Sequence, residues 1–162
     1  MRLTIDGRNV EAAEGMSILQ AAKTVGIEIP TLCYLEGISD IGSCRLCVVE
    51  VEGVNELATA CNTKAKEGMV VQTASERVIE ARKTVLKLLL SNHNIDCFNC
   101  EKNGDCELQK YCNIYGIDTT PYFGSRGLLE CEIPKKDAHP FLSYDQSKCI
   151  YCQRCVQTCR VA

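Results

Sequence analysis

Cysteine and one histidine are the residues whose types and spacing allow chemistry in this chain. Thirteen of the 162 residues are cysteine. Cys33, Cys44, Cys47 and Cys61 are spaced C-x10-C-x2-C-x13-C. His93, Cys97, Cys100 and Cys106 follow as H-x3-C-x2-C-x5-C. Cys149, Cys152, Cys155 and Cys159 form a run C-x2-C-x2-C-x3-C, and Cys112 and Cys131 stand outside these groups. An odd count forbids complete pairing into disulfides. The N-terminal Met-Arg-Leu-Thr-Ile-Asp-Gly has no apolar signal core, so the expected location is the cytoplasm, where thiols stay reduced. Clustered cysteine in a reducing compartment points to metal.

Composition narrows the function classes. The 18 basic and 21 acidic residues leave a formal charge of −3, without the basic excess of a general nucleic-acid binder. No apolar run approaches the roughly 18–20 residues that span a bilayer. Aromatics are 6% of the chain and Trp is absent. Small modules of this kind need staples other than aromatic packing.

Each group has its own chemistry. A [2Fe–2S] cluster needs four thiolates around two irons, three usually from one loop and one from a distant strand. Cys33, Cys44 and Cys47 supply the loop and Cys61 the distant ligand, with ten residues in the first gap where plant-type spacing has four. Gly42 lets the loop backbone wrap closely, so that its amides donate to cluster sulfurs. A four-cysteine zinc site prefers two C-x2-4-C knuckles, and this group has one. His93 with Cys97, Cys100 and Cys106 suits a [4Fe–4S] cluster with one imidazole ligand, or zinc in the same ligands. The third run is the bacterial ferredoxin pattern for a [4Fe–4S] cluster, with Arg160 where Pro usually follows. Cys159 either closes that cluster or serves a neighbouring one. The run stops at Ala162 without a second copy, so the chain is expected to be the front part of a longer protein. Cys112 and Cys131 read as ordinary thiols that could also pair or assist an extra cluster, and His139 reads as a surface residue.

The elements that must hold these groups are legible in outline. Residues 1–14 read as a hairpin turning at Asp6-Gly7, a type I′ signal. Ser17 and Gln20 fit a capping box before a helix with Ile18, Leu19, Ala22 and Val25 on its apolar stripe and Gly26 at its end. Pro30 breaks into the cysteine loop. Val48, Val49 and Val51 open a strand, Glu52-Gly53 turns, Leu57 to Ala60 is its partner, and Val70 to Gln72 adds a short strand. Two hairpins with one helix across a mixed sheet make a β-grasp. A helix from about Ser75 to Ser91 shows an apolar face of Val78, Ile79, Val85, Leu86, Leu89 and Leu90, with Arg82, Lys83 and Lys87 expected in water. It ends beside His93. A short helix from about Cys106 to Tyr115 is closed by Gly116. Residues 116–145 are broken by Gly and Pro.

The stretches Ile29-Pro30-Thr31-Leu32-Cys33-Tyr34, Gly42-Ser43-Cys44-Arg45-Leu46-Cys47-Val48-Val49-Glu50-Val51, Asn92-His93-Asn94-Ile95-Asp96-Cys97 and Asn103-Gly104-Asp105-Cys106-Glu107-Leu108-Gln109-Lys110-Tyr111 carry a resemblance. In this order they resemble the N-terminal iron–sulfur region of [FeFe]-hydrogenase large subunits, of the complex I iron–sulfur subunit and of NAD-dependent formate dehydrogenases. The resemblance covers essentially the whole chain. It implies an α+β architecture. Residues 1–75 form a β-grasp, plant-type [2Fe–2S] ferredoxin domain, and 76–116 a small helical [4Fe–4S] module with one His and three Cys ligands. A linker of 117–142 leads to the start of a bacterial-type ferredoxin module at 143–162. It implies coordination by Cys33, Cys44, Cys47 and Cys61, then by His93, Cys97, Cys100 and Cys106. Cys149, Cys152 and Cys155 follow, with Cys159 serving a neighbouring cluster. The implied function is electron relay in a cytoplasmic multisubunit oxidoreductase linked to NAD(H) and ferredoxin. Its implied partners are a flavin- and NAD-binding subunit, a thioredoxin-like [2Fe–2S] subunit and ferredoxin, and electron bifurcation stays open. No catalytic signature of that family is present in the sequence. The other function class is a zinc-stabilised interaction module without redox work.

Overall fold

The computed structural model describes residues 1–122 and 148–161. Cys131, His139 and most of the expected linker lie outside the described residues. The chain divides into two compact units, Met1–Val85 with the stretch from Cys152 onward, and Leu86–Tyr151.

The first unit is built on a five-stranded mixed sheet in the order β2-β1-β5-β3-β4. β1 (Arg2–Ile5) and β2 (Arg8–Glu11) are antiparallel, with Ile5 opposite Arg8 across a two-residue turn. Asp6 at φ 48° and Gly7 at φ 77° both take the left-handed conformation that a type I′ hairpin requires. β5 (Val70–Gln72) runs parallel to β1 and antiparallel to β3 (Val48–Val51). β4 (Ala58–Thr59) is shorter than the expected Leu57 to Ala60. Ala60 N still donates to Cys47 O, but its carbonyl turns away from the ladder to accept from Leu19 N. The chain then turns to present Cys61.

α1 (Ile18–Thr24) lies on this sheet. Ser17 N donates to Gln20 Oε1 at 2.9 Å and Gln20 N to Ser17 Oγ at 3.2 Å, the reciprocal capping box its sequence announces. Ile18, Leu19, Ala21 and Ala22 are buried against Leu3, Ile5, Val10, Val49, Val51 and Val71. Cys47 and Cys61 belong to this same apolar core. The sheet therefore carries one cysteine on the approach to β3 and one just beyond β4, both facing inward.

α2 (Glu76–Asn92) begins in the first unit and ends in the second. Ser75 caps it, with Val78 N donating to Ser75 Oγ at 3.3 Å while Ser75 Oγ donates to Glu50 Oε2 at 2.7 Å. Its buried stripe is Val78, Arg82, Leu86 and Leu90. This corrects the expectation that Arg82 lies in water: it is 3% exposed. Its Nε donates to Leu46 O at 3.1 Å and its Nη2 to Val48 O at 2.8 Å. Four-residue spacing puts Arg82 on the line between Val78 and Leu86, and the carbonyls of the cysteine loop satisfy its donors there. Lys83 and Lys87 are partly buried rather than fully solvated, while Val85 and Leu89, expected on the apolar face, are only half-buried.

In the second unit a 3-10 turn spans Cys97–Asn99 and α3 spans Glu107–Ile114. Leu108, Cys112 and Ile117 are buried there, and Gly116 follows α3 at φ 64°. α4 (Arg154–Val161) is a helix that the sequence reading did not assign.

Candidate functional site

The loop from Cys33 to Cys47 and the turn after β4 bring the first four thiols together as two pairs. Cys47 and Cys61 share a hydrogen bond, with their sulfurs 3.4 Å apart. Cys33 and Cys44 lie close enough to shift each other's acidity. Cys33, Cys47 and Cys61 are buried, and Cys44 is the one thiol of this set that reaches partly toward solvent. The neighbouring Cys44 thiol, against opposing burial and helped by the backbone of Cys44 and Ser43, holds Cys33 down to about 5. The bond with Cys61 likewise holds Cys47 down to about 7. Their partners move the other way. Cys44 is raised first by Cys33 and then by burial, and Cys61 first by the bond to Cys47 and then by burial. Each pair thus contains one thiol poised to ionise near neutral pH, the form that binds metal.

Backbone groups near the sulfurs also favour their ionised form, those of Ser43 and Cys44 at Cys33, of Leu46 and Leu32 at Cys44, and of Cys61 and Cys47 at Cys47. Gly42 at φ 63° and Arg45 at φ 57° bend the loop that carries them. Gly42 is required twice over, because a Cβ there would lie 2.8 Å from Asn62 Nδ2. Asn62, next to Cys61, is held by Thr59 Oγ1 donating to its Oδ1 at 2.5 Å. The longer first gap is a tight turn: Leu35 N donates to Ser39 O at 2.8 Å and Ser39 N to Leu35 O at 2.7 Å. It ends at Asp40, whose carbonyl faces Cys61 Sγ at 3.8 Å.

His93, Cys97, Cys100 and Cys106 line one shallow pocket of the second unit, together with Asp96, Asn103 and Gln109. His93 directly follows α2 and Cys106 is the residue at the start of α3, so two helix ends and the turn between them position the set. The Asn103-Gly104-Asp105 turn is tied to α3 by Gln109: Gly104 N donates to Gln109 Oε1, and Gln109 Nε2 to Asn103 Oδ1, each at 3.2 Å. Asn99 Nδ2 donates to both carboxylate oxygens of Asp96 at 3.0 and 3.2 Å. These polar tethers were not read from the sequence, although Asn103, Gly104 and Gln109 sit in the quoted motif. Cys97 is exposed and Cys100 and Cys106 are half-buried. Phe98 between them is 96% exposed. Cys112 is buried on α3 outside that pocket lining, its thiol pushed up to about 11 chiefly by burial.

The third run is placed in part. Cys155 and Cys159 lie one helical turn apart on α4 and are exposed. Cys149 belongs to the second unit and Cys152 to the first. Tyr151 N donates to Cys149 Sγ at 3.4 Å. Among the described residues, no three His, Cys, Asp or Glu side chains form a group that could hold a single metal ion. Two separate thiol pairs suit instead a cluster that spreads its ligands over two irons.

Comparison with known proteins agrees. Residues 1–76 match a family described as the 2Fe-2S iron-sulfur cluster binding domain. Residues 82–121 match the NADH-ubiquinone oxidoreductase-G iron-sulfur binding region. The chain thus carries both iron–sulfur binding regions, one after the other. It is 48% identical to the NADP-reducing hydrogenase subunit HndD of Solidesulfovibrio fructosivorans, over 99% of this chain and 29% of that protein. It is 42% identical to the NADPH-Fe(3+) oxidoreductase subunit alpha of Geobacter sulfurreducens, over 96% of this chain and 18% of that one. The mitochondrial NADH-ubiquinone oxidoreductase 78 kDa subunit of Candida albicans is 38% identical, over 97% of this chain and 22% of the relative. Among solved structures, an NAD+-reducing [NiFe]-hydrogenase superposes with a TM-score of 0.86 at 32% identity, covering 99% of this chain and 66% of that one. The iron–sulfur chain thus spans less than a third of the curated relatives it matches. It is an electron-transfer module with [2Fe–2S] and [4Fe–4S] binding regions, and zinc is set aside on that ground. Among the described residues, no helix is long and apolar enough to cross a membrane.

Proposed function

We propose that this chain is the electron-relay segment of a cytoplasmic, multisubunit, NAD(P)-linked oxidoreductase of hydrogenase or formate dehydrogenase type. The observation that carries the reading is the Cys47–Cys61 pair, its sulfurs 3.4 Å apart within the core of the first unit, with Cys33 also buried and Cys44 half-buried. Cys33 with Cys44 would hold one iron of a [2Fe–2S] cluster and Cys47 with Cys61 the other. His93, Cys97, Cys100 and Cys106 would hold a [4Fe–4S] cluster. Cys149, Cys152 and Cys155 would hold a second, with Cys159 closing it or serving a neighbour. When bound, these clusters accept and release single electrons. The protein's own part is to place thiolates, set backbone groups near them, and keep water from Cys33, Cys47 and Cys61. His93 adds a neutral ligand, leaving its site one unit less negative than an all-thiolate one.

In this reading residues 1–75 and 76–116 are the two cluster domains, 117–142 is a linker and 143–162 begins a third. Donor and acceptor are a flavin- and NAD-binding subunit and a thioredoxin-like [2Fe–2S] subunit, with ferredoxin as a further partner. Support comes from the relatives, whose names describe subunits of NAD(P)-linked enzymes. The test is anaerobic purification with iron, acid-labile sulfide and EPR analysis. About six irons per chain are expected from the first two sites, and about ten with the third. Stoichiometric zinc with negligible sulfide would refute the reading.

A further inference from the structure

We infer that Arg82 is a positioning residue for the first thiol site, acting on the backbone at both sides of Cys47 and placing a fixed positive charge beside it. This rests on the proposed reading that Cys33, Cys44, Cys47 and Cys61 hold a [2Fe–2S] cluster.

Arg82 reaches from α2 into the core of the first unit. Its Nε donates to Leu46 O and its Nη2 to Val48 O. Those two carbonyls bracket Cys47, which is fully buried. The same stretch is fixed at a further point. The Cys47 carbonyl accepts from Ala60 N at 3.0 Å. The planar fork of one guanidinium thereby holds two peptide units at a set separation, and Cys47 between them has little freedom to turn its sulfur away from Cys61. A lysine has a single ammonium point and cannot hold both carbonyls in that planar geometry.

The charge has a separate effect. A residue between Val78 and Leu86 on a buried stripe is ordinarily apolar, and burying a guanidinium costs free energy unless its donors and charge are matched. The carbonyls answer the donors. The negative charge of a thiolate-ligated cluster answers the charge, because an oxidised [2Fe–2S] core with four thiolates carries about −2 and takes one more electron on reduction. Screening is weak at this depth, so Arg82 favours the reduced state.

The test uses the full chain, prepared anaerobically with its clusters, as wild type, Arg82→Gln and Arg82→Lys. EPR-monitored titration reads the midpoint of the [2Fe–2S] signal, and bleaching in chelator reads the half-time of cluster loss. Arg82→Gln is expected to lower the midpoint by at least a tenfold change in the oxidised-to-reduced ratio, about 59 mV for one electron, and to shorten the half-time. Arg82→Lys is expected to keep the midpoint near wild type while still shortening the half-time several-fold. Unchanged midpoint and half-time in both variants would overturn the assignment. So would equal shortening in both with the midpoint unmoved in Arg82→Gln, since that is the mark of a packing role alone. If Arg82→Gln does not fold, as shown by loss of the second site's signal too, Arg82→Met replaces it as the variant without charge: a lowered midpoint there, with a shortened half-time in Arg82→Lys, upholds the assignment, and an unmoved midpoint overturns it. A wild-type chain without a [2Fe–2S] signal fails the reading of the site itself and takes this inference with it.

Discussion

Replacing Gly42 with alanine is expected to destabilise the first unit by about 2–3 kcal/mol, from two sources. Gly42 sits at φ 63°, and an L side chain in the left-handed region costs about 1–2 kcal/mol. The new Cβ would also lie 2.8 Å from Asn62 Nδ2 and 3.6 Å from Thr59 Oγ1, so Asn62 must swing away. That breaks the 2.5 Å bond from Thr59 Oγ1 to Asn62 Oδ1; a typical intramolecular hydrogen bond contributes a net of about 0.5–1.5 kcal/mol. Gly37 supplies the control within the same loop: its φ is 74°, but a Cβ there meets nothing within 4 Å. Gly37→Ala should therefore show only the backbone cost. Anaerobic urea unfolding measures both, and with a slope of about 1–3 kcal/mol per molar, Gly42→Ala should lower the midpoint by about 0.7–3 M. Asn62 adjoins Cys61, so Gly42→Ala should also hasten metal loss while Gly37→Ala does not. Coincident midpoints for the two variants would refute the crowding half of the reasoning. A Gly42→Ala loss below about 0.5 kcal/mol would refute both halves.

Cys47→Ser should abolish or severely perturb the [2Fe–2S] EPR signal and leave the second site's signal, because a hydroxyl is a poorer iron ligand than a thiolate; loss of every signal would mean the two sites do not form independently. His93→Cys should lower the second cluster's midpoint through one added negative charge, whereas His93→Ala should give a labile cluster, both read by anaerobic EPR titration. An unchanged signal and midpoint in His93→Ala would show that His93 is not a ligand. Cadmium uptake by the metal-free chain, followed by thiolate-to-metal absorbance, should slow as pH falls through about 7 and again through about 5. The direction follows from the depressed acidities of Cys47 and Cys33: falling pH converts the metal-binding thiolates to thiols. A rate flat across that range would contradict the pairing.

Local signals in the sequence proved sufficient wherever the structure is local. Asp6-Gly7 dictates its own backbone conformation, and Ser17 with Gln20 closes a box within one turn, so hairpin and helix start were both readable. Cysteine spacing grouped the first four thiols and the second set, because a loop ligand set must be close in sequence to be close in space. What escaped was set by long-range partners. Arg82 looked like a solvated cation, since the carbonyls that satisfy it come from residues 34 and 36 positions earlier. Its helical register was the available signal: it lies between Val78 and Leu86. The clash that fixes Gly42 comes from Asn62, and the approach of Cys47 to Cys61 follows from how β3 and β4 are hydrogen-bonded. The tether from Gln109 to Asn103 and Gly104 spans only five and six residues, but it depends on how α3 meets the preceding turn, which no local motif announces.

The parallel pairing of β5 with β1 has a consequence for how the protein comes into being. Thr4 pairs with Val70 and Ile5 with Val71, so the centre of the sheet is made from the two ends of the segment. All four first-site cysteines lie between those strands in the chain. A ribosome therefore delivers Cys33 well before β5 can complete the sheet, and at ordinary synthesis rates the roughly forty intervening residues take roughly two to eight seconds. During that interval the thiols that end up in the core are displayed on an unfinished chain, open to oxidants and to whichever thiophilic ion arrives first. Slower translation between Cys61 and Gln72 lengthens that exposure, and metal analysis of chains made from slowed and unslowed messages should then show more miscoordinated metal in the first.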